Sequence, residues 1–147
     1  MTNFAVLPPR LVLDPLLRDW LLEDLGRGDR TTSGLLAPDA TSATARWIAK
    51  APGLIAGLPV AARVFQLLNQ KISFVALTTE GARCEPGQLV AKIEGSLDAL
   101  LSGERLALNL VMRLSGIATL TNLYVQTIAD FPAQLVDTRK TTLRDNF

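Results

Sequence analysis

Apolar residues fall at helical spacing near both ends of this chain and alternate with polar ones between. From Leu11 to Leu25, Leu16, Leu17, Trp20, Leu21 and Leu25 line one side of a helix, with Arg18, Asp19, Glu23 and Asp24 largely elsewhere. Asp14 is a suitable N-cap, Pro15 suits the first helical position, and Gly26 ends the pattern. A loop, residues 27–34, follows; its Arg-Gly-Asp reads as a turn. Thr41 to Lys50 alternates, with Thr44, Arg46, Ile48 and Lys50 opposed to Ala45, Trp47 and Ala49, which predicts a strand with one covered face.

Pro52-Gly53 makes a turn, and Leu54 to Gly57 reads as a second short strand. Pro59 opens a helix reaching Gln70, with Val60, Val64, Leu67 and Leu68 on one side. Ile72 to Leu77 and Gln88 to Gly95 read as strands around a second Pro-Gly turn. Leu97 to Ala129 is nearly all helical, with a break or bend expected at Ser115-Gly116. Gln134 to Asp137 resembles a short buried strand that opens into a polar loop. Helices and strands in this mixed order predict an α+β domain around a small, mainly antiparallel sheet. The final helix and strand look like the opening of a second, α/β unit, whose ligands would lie at strand C-terminal ends.

Composition narrows the chemistry. With 48% hydrophobic residues the 147-residue chain can bury a real core, and its formal net charge of +1 supplies no long-range attraction for nucleic acid or anionic membranes. There is no histidine, so nucleophile–histidine pairs and histidine metal ligands are excluded within these residues. The single cysteine, Cys84, cannot form an internal disulfide and is read as incidental. No basic segment followed by a long apolar run opens the chain, and charges interrupt the leucine-rich stretches. A soluble, cytoplasmic protein is the expectation.

Two groups of residues could carry chemistry. On the long helix, Leu97, Leu100, Leu101, Leu108 and Val111 form one apolar face and Leu106, Leu110 and Leu114 another, with Arg105, Asn109 and Arg113 between them at i+4 spacing. Such an arginine either pairs with a carboxylate of the protein or grips a ligand carboxylate or phosphate through parallel hydrogen bonds. Asp137-Thr-Arg-Lys-Thr-Thr142 packs two cations and three hydroxyls behind an apolar run, which suits an anion, although no phosphate-binding glycine motif precedes it. The Gly81–Gly95 hairpin has the outline of a lipoyl-type carrier, but Lys92 lies inside the strand pattern rather than at a tip.

Four segments resemble the quinolinate phosphoribosyltransferase family in order and spacing: Leu22-Glu-Asp-Leu-Gly-Arg-Gly-Asp-Arg-Thr31, Gly103-Glu-Arg-Leu-Ala-Leu-Asn109, Leu114-Ser-Gly-Ile-Ala-Thr119 and Asp137-Thr-Arg-Lys-Thr141. The resemblance implies an N-terminal α/β sandwich, here residues 1–112, followed at 113–147 by the first helix and strand of an incomplete α/β barrel. It implies homodimers or higher homo-oligomers in which one subunit covers the other's barrel. The implied reaction joins quinolinate to phosphoribosyl pyrophosphate with Mg2+, giving nicotinate mononucleotide, pyrophosphate and CO2 in NAD biosynthesis. Arg105 would bind a quinolinate carboxylate in the neighbouring subunit's site, with Arg139 and Lys140 in their own subunit's anion pocket and Thr138 beside them. Asn109 and Ser115 would be structural supports. No metal ligand and no certain catalytic residue falls in this half.

The family pattern continues from this motif into Pro-Gly and an arginine segment, whereas this chain reads Thr142-Leu-Arg-Asp-Asn-Phe147. The later His-Arg motif, a lysine, and the Glu and Asp serving ribose and Mg2+ are not among its residues, so the chain alone is expected to be inactive. Two alternatives stand beside this reading: a close enzymatic variant, a ModD-like homologue with another substrate, and, different in kind, a non-catalytic domain that self-associates or binds partners through uncovered helix faces.

Overall fold

A computed structural model describes residues 7–26 and 42–138. Helix α1 spans Arg10–Leu25, strand β1 Ser42–Ile48, β2 Gly53–Leu54, α2 Leu58–Leu68, β3 Ser73–Ala76, β4 Arg83–Cys84, β5 Leu89–Ser96 and α3 Leu97–Thr127. The main sheet has the order β1-β5-β3 with every pairing antiparallel, and β2 and β4 form a separate two-stranded ribbon. The expected α+β character holds, as does the small antiparallel sheet.

The alternation read in β1 sets which face is covered. Ala43, Ala45 and Trp47 point inward while Ser42, Thr44, Arg46 and Ile48 are exposed. Across the register, Ala45 opposes Ile93, which opposes Phe74, and these inward residues meet the helices. Trp47, Phe65 and Phe74 form an aromatic centre with ring centroids 5.6–6.1 Å apart. The outer face carries Thr44, Arg46, Lys92 and Glu94 beside the exposed Ile48 and Val75. There Lys92 Nζ lies 2.6 Å from Glu94 Oε1, and its hydrogen bond holds the Glu94 carboxyl below its usual range. Lys92 is thus paired within β5 rather than presented at a hairpin tip.

Helix α1 begins earlier than its sequence suggests. Its N-cap is Pro9, whose carbonyl accepts from Val12 N (2.8 Å) and Leu13 N (3.0 Å), and Pro15 lies inside the helix. Pro15 cannot donate to the Leu11 carbonyl, yet Leu11 is 87% exposed, so water can serve that acceptor. Asp14 does not cap. Its carboxylate takes two hydrogen bonds from Arg63 of α2, Nε to Oδ1 at 2.8 Å and Nη2 to Oδ2 at 2.6 Å. A bidentate, charge-assisted pair is stronger than the single capping bond it displaces. The deepest α1 residues are Leu13, Leu17 and Leu21, with Leu16, Trp20 and Leu25 flanking them half-buried.

In α2 the buried set is Leu58, Ala61, Val64 and Phe65, so Val60, Leu67 and Leu68 lie at the margin rather than the centre of the apolar face. Its first turn is closed from a distance: Glu80 accepts from Gly57 N and Leu58 N, both at 2.8 Å. This satisfies two helix N-terminal donors where no local side chain caps.

At the C-terminal end neither the expected helix break nor the expected strand is present among the described residues. Helix α3 runs unbroken for 31 residues through Ser115-Gly116. Ser115, whose pairing with Gly116 suggested the break, instead directs its hydroxyl to the backbone of Ala56. Residues 133–138 form no strand; Leu135 is 43% and Val136 71% exposed. An apolar triplet makes a strand only where a neighbouring strand accepts its backbone bonds, and none does so here among the described residues. Helix α3 is long and apolar enough to cross a membrane. Its first half, however, contributes Ala99, Leu100, Gly103, Ala107 and Val111 to the domain core.

Candidate functional site

The phase of α3 decides what its polar stripe faces. Gly103, Ala107 and Val111 are buried at i+4 spacing, and a Cβ on Gly103 would come within 2.8 Å of Phe65 and 2.9 Å of Leu68. Glycine therefore lets α3 lie close against α2. Two residues on, Arg105 points to the opposite side, and Asn109 and Arg113 follow it there, all exposed. The stripe is not sandwiched between two buried apolar faces; Leu106 and Leu110 are half-buried, whereas Leu101, Met112 and Leu114 are exposed.

Arg105 meets the C-terminal end of α1. Its Nη1 donates to Asp24 Oδ1 at 3.1 Å, the distant salt bridge that the spacing allowed. The two ends differ in environment: the Arg105 side chain is 74% exposed and that of Asp24 only 21%. Around the pair lies an open groove lined by Trp20, Glu23, Asp24, Arg105, Leu106 and Asn109. The anchored carboxylate and projecting guanidinium leave Arg105 able to meet an anion from outside the domain.

The Leu114–Thr119 segment has a different role. Ser115 Oγ accepts from Ala56 N at 2.9 Å and donates to the Ala56 carbonyl at 3.2 Å. Thr119 Oγ1 accepts from Leu54 N and donates to the Ser115 carbonyl, at 2.8 and 2.7 Å. Two hydroxyls thus satisfy the backbone of the β2–α2 link. Space is tight at this junction: a Cβ on Gly53 would lie 2.8 Å from Thr119, and one on Gly57 (φ 97°) 2.7 Å from Leu114. Ser115 is the structural support that the sequence suggested; Thr119 and Glu80 were not singled out. Their partners lie 65 and 22 residues away in the chain, a separation that local patterns do not encode.

The remaining site residues are less clustered. Thr138 follows the irregular segment after α3 and is exposed. Arg139 and Lys140 lie outside the described residues, as do Thr41 and the loop 27–34. Cys84 is buried in β4, its Sγ 3.9 Å from Thr78 Oγ1. Among the described residues no group of His, Cys, Asp or Glu could hold a metal ion.

The described residues thus form a one-sided antiparallel sheet backed by two helices, with Arg105, Asn109 and Arg113 on an outward helix face. Residues 29–115 match the family model of the quinolinate phosphoribosyl transferase N-terminal domain, and the chain belongs to that family. It is 55% identical over 136 residues to a probable nicotinate-nucleotide pyrophosphorylase (carboxylating) of Synechocystis, covering 92% of this chain and 45% of that protein. It is 36% identical over 142 residues to the human nicotinate-nucleotide pyrophosphorylase (carboxylating), covering 95% of this chain and 46% of the relative. The crystal structure of NadC from Streptococcus pyogenes superposes with a TM-score of 0.87 at 36% identity, over 94% of this chain and 49% of that one. The chain spans about half the length of the relatives it matches.

Proposed function

We propose that this chain is the N-terminal part of a quinolinate phosphoribosyltransferase of NAD biosynthesis, in which its task is to supply Arg105 to a quinolinate carboxylate. The supporting observation is the pairing of a mostly exposed Arg105 with a mostly buried Asp24 on the family's Gly103–Asn109 segment. Quinolinate is a dicarboxylate and phosphoribosyl pyrophosphate is an anion, so the site must neutralise charge while holding the ring nitrogen near the ribose C1. Displacement of pyrophosphate develops positive charge on the sugar, and orientation with electrostatic stabilisation supplies the acceleration. Thr138, Arg139 and Lys140 are proposed for the anion pocket of their own subunit, and Arg105 for the neighbouring subunit's site in a homodimer or higher homo-oligomer. Residues 1–112 are proposed as the sandwich domain and 113–147 as the start of the barrel, with the assembled enzyme cytoplasmic. The reaction is proposed to need Mg2+. Among the described residues no group of three or more His, Cys, Asp or Glu could hold such an ion, and the part proposed for Arg105, Thr138, Arg139 and Lys140 is binding and orientation.

The test exchanges this chain for the matching half of the Synechocystis relative. The chimera, with quinolinate, phosphoribosyl pyrophosphate and Mg2+, is expected to form nicotinate mononucleotide, and the 147-residue chain alone is expected to form none. A folded but inactive chimera, or product from the chain alone, overturns the proposal. Turnover of another heteroaromatic acid in preference to quinolinate would favour a ModD-like assignment. The non-catalytic reading rests on a separate observation, the exposed apolar residues along the second half of α3.

A further inference from the structure

Asp24 stands where local rules disfavour it. It occupies the last turn of α1, beside Glu23, at the negative end of the helix dipole, where a carboxylate is unfavourable, and that turn holds no basic residue to compensate. Its side chain is also about four-fifths buried, whereas aspartates are mostly exposed. A residue that breaks two local preferences marks a position held for another purpose. Among the described residues, Arg105 is its ion-pair partner.

The geometry of that contact is selective. A guanidinium presents two forked edges, one of Nη1 with Nη2 and one of Nε with Nη2. Asp24 takes a single bond from Nη1 and leaves Nε and Nη2 without a partner among the described residues. That remaining edge is the one a carboxylate can grip with two parallel bonds. An arginine on an exposed helix otherwise samples many rotamers, and ordering it on ligand binding costs affinity. A fixed acceptor on a different helix removes part of that cost in advance.

We propose that Asp24 is a positioning residue: it holds Arg105 by one nitrogen so that the Nε–Nη2 edge stands ready for a substrate carboxylate. This rests on the reading of Arg105 as a carboxylate-binding residue. The device is an ion pair that orients without saturating.

Two measurements test it. In the 147-residue chain, 15N relaxation of the Arg105 Nε–H group reports side-chain order directly. That group is expected to be ordered in the wild type, to become mobile in Asp24→Asn, and to regain order in Asp24→Glu. In the chimera described above, Asp24→Asn is expected to raise KM for quinolinate about fivefold, the cost of ordering one long side chain on binding, with kcat changed less than twofold. Asp24→Glu is expected to recover most of that loss. Equal mobility of Arg105 in wild type and Asp24→Asn overturns the inference, as does an unchanged KM in Asp24→Asn while Arg105→Ala raises it. If Arg105→Ala itself leaves KM unchanged, it is the carboxylate-binding reading of Arg105 that fails.

Discussion

Ser115 and Thr119 show how a motif on a helix can serve its neighbour. Each hydroxyl accepts a backbone N–H of the β2–α2 link and donates to a carbonyl, so each removal strands polar groups that water reaches only partly. The double variant Ser115→Ala with Thr119→Val is therefore expected to lose about 2–4 kcal/mol in urea unfolding. A loss near zero would mean that the link relaxes to find other partners. Asp14 offers a second test at this scale. The hydrogen bond from Arg63 holds its carboxyl below the usual carboxylate range, desolvation opposes this, and the charges of Arg63, Arg10 and Arg18 add to the lowering. Because the folded value is the lower one, the pair's contribution is present above the unfolded value and is lost as pH falls through the folded value. Asp14→Asn should consequently differ from wild type at neutral pH and converge with it in acid. A stability difference that is constant with pH would rule out this linkage.

At the level of elements, two glycines in the same helix carry opposite expectations. Gly103 packs against Phe65 and Leu68, so Gly103→Ala forces a buried shift and is expected to cost about 1–3 kcal/mol. Around Gly116 nothing lies within 4 Å of an added Cβ, and the helix is continuous there. Gly116→Ala should stabilise the chain by up to about 1 kcal/mol through lower unfolded-state entropy. Thermal unfolding of both variants checks the pair; a destabilising Gly116→Ala would show that α3 bends after all. The same helix explains why a break was expected. A Ser-Gly pair lowers helix propensity, but Ser115 directs its hydroxyl to Ala56, so the local signal yields to a tertiary contact.

Across the whole molecule, the uneven covering of α3 dominates. Its first half lies in the core, while Met112, Ile117, Leu120, Leu123, Tyr124 and Val125 are each at least 46% exposed, followed by Phe131 and Val136. Monomeric soluble proteins rarely leave so contiguous an apolar surface uncovered. The 147-residue chain is expected to self-associate with rising concentration in sedimentation velocity, and Leu120→Glu with Leu123→Glu to weaken that association. A compact monomer at high concentration would count against it.

Much of this was legible in the residues themselves. Alternation around Trp47 announced β1 and its covered face, Gly26 marked the end of α1, and the four motifs pointed to the family, because periodicity and turn chemistry are properties of neighbours in sequence. Arg105 was identifiable as a residue needing an anionic partner. Which partner it has, and which edge it keeps open, were decided only when α1 and α3 came together across 81 residues of chain. The same holds for Asp14, whose local role as a cap gave way to Arg63, and for residues 134–137, whose strand-like composition has no neighbouring strand to pair with among the described residues. Local chemistry specifies the elements; the pairing of charges and the satisfaction of backbone groups depend on what the packed elements bring within hydrogen-bonding reach.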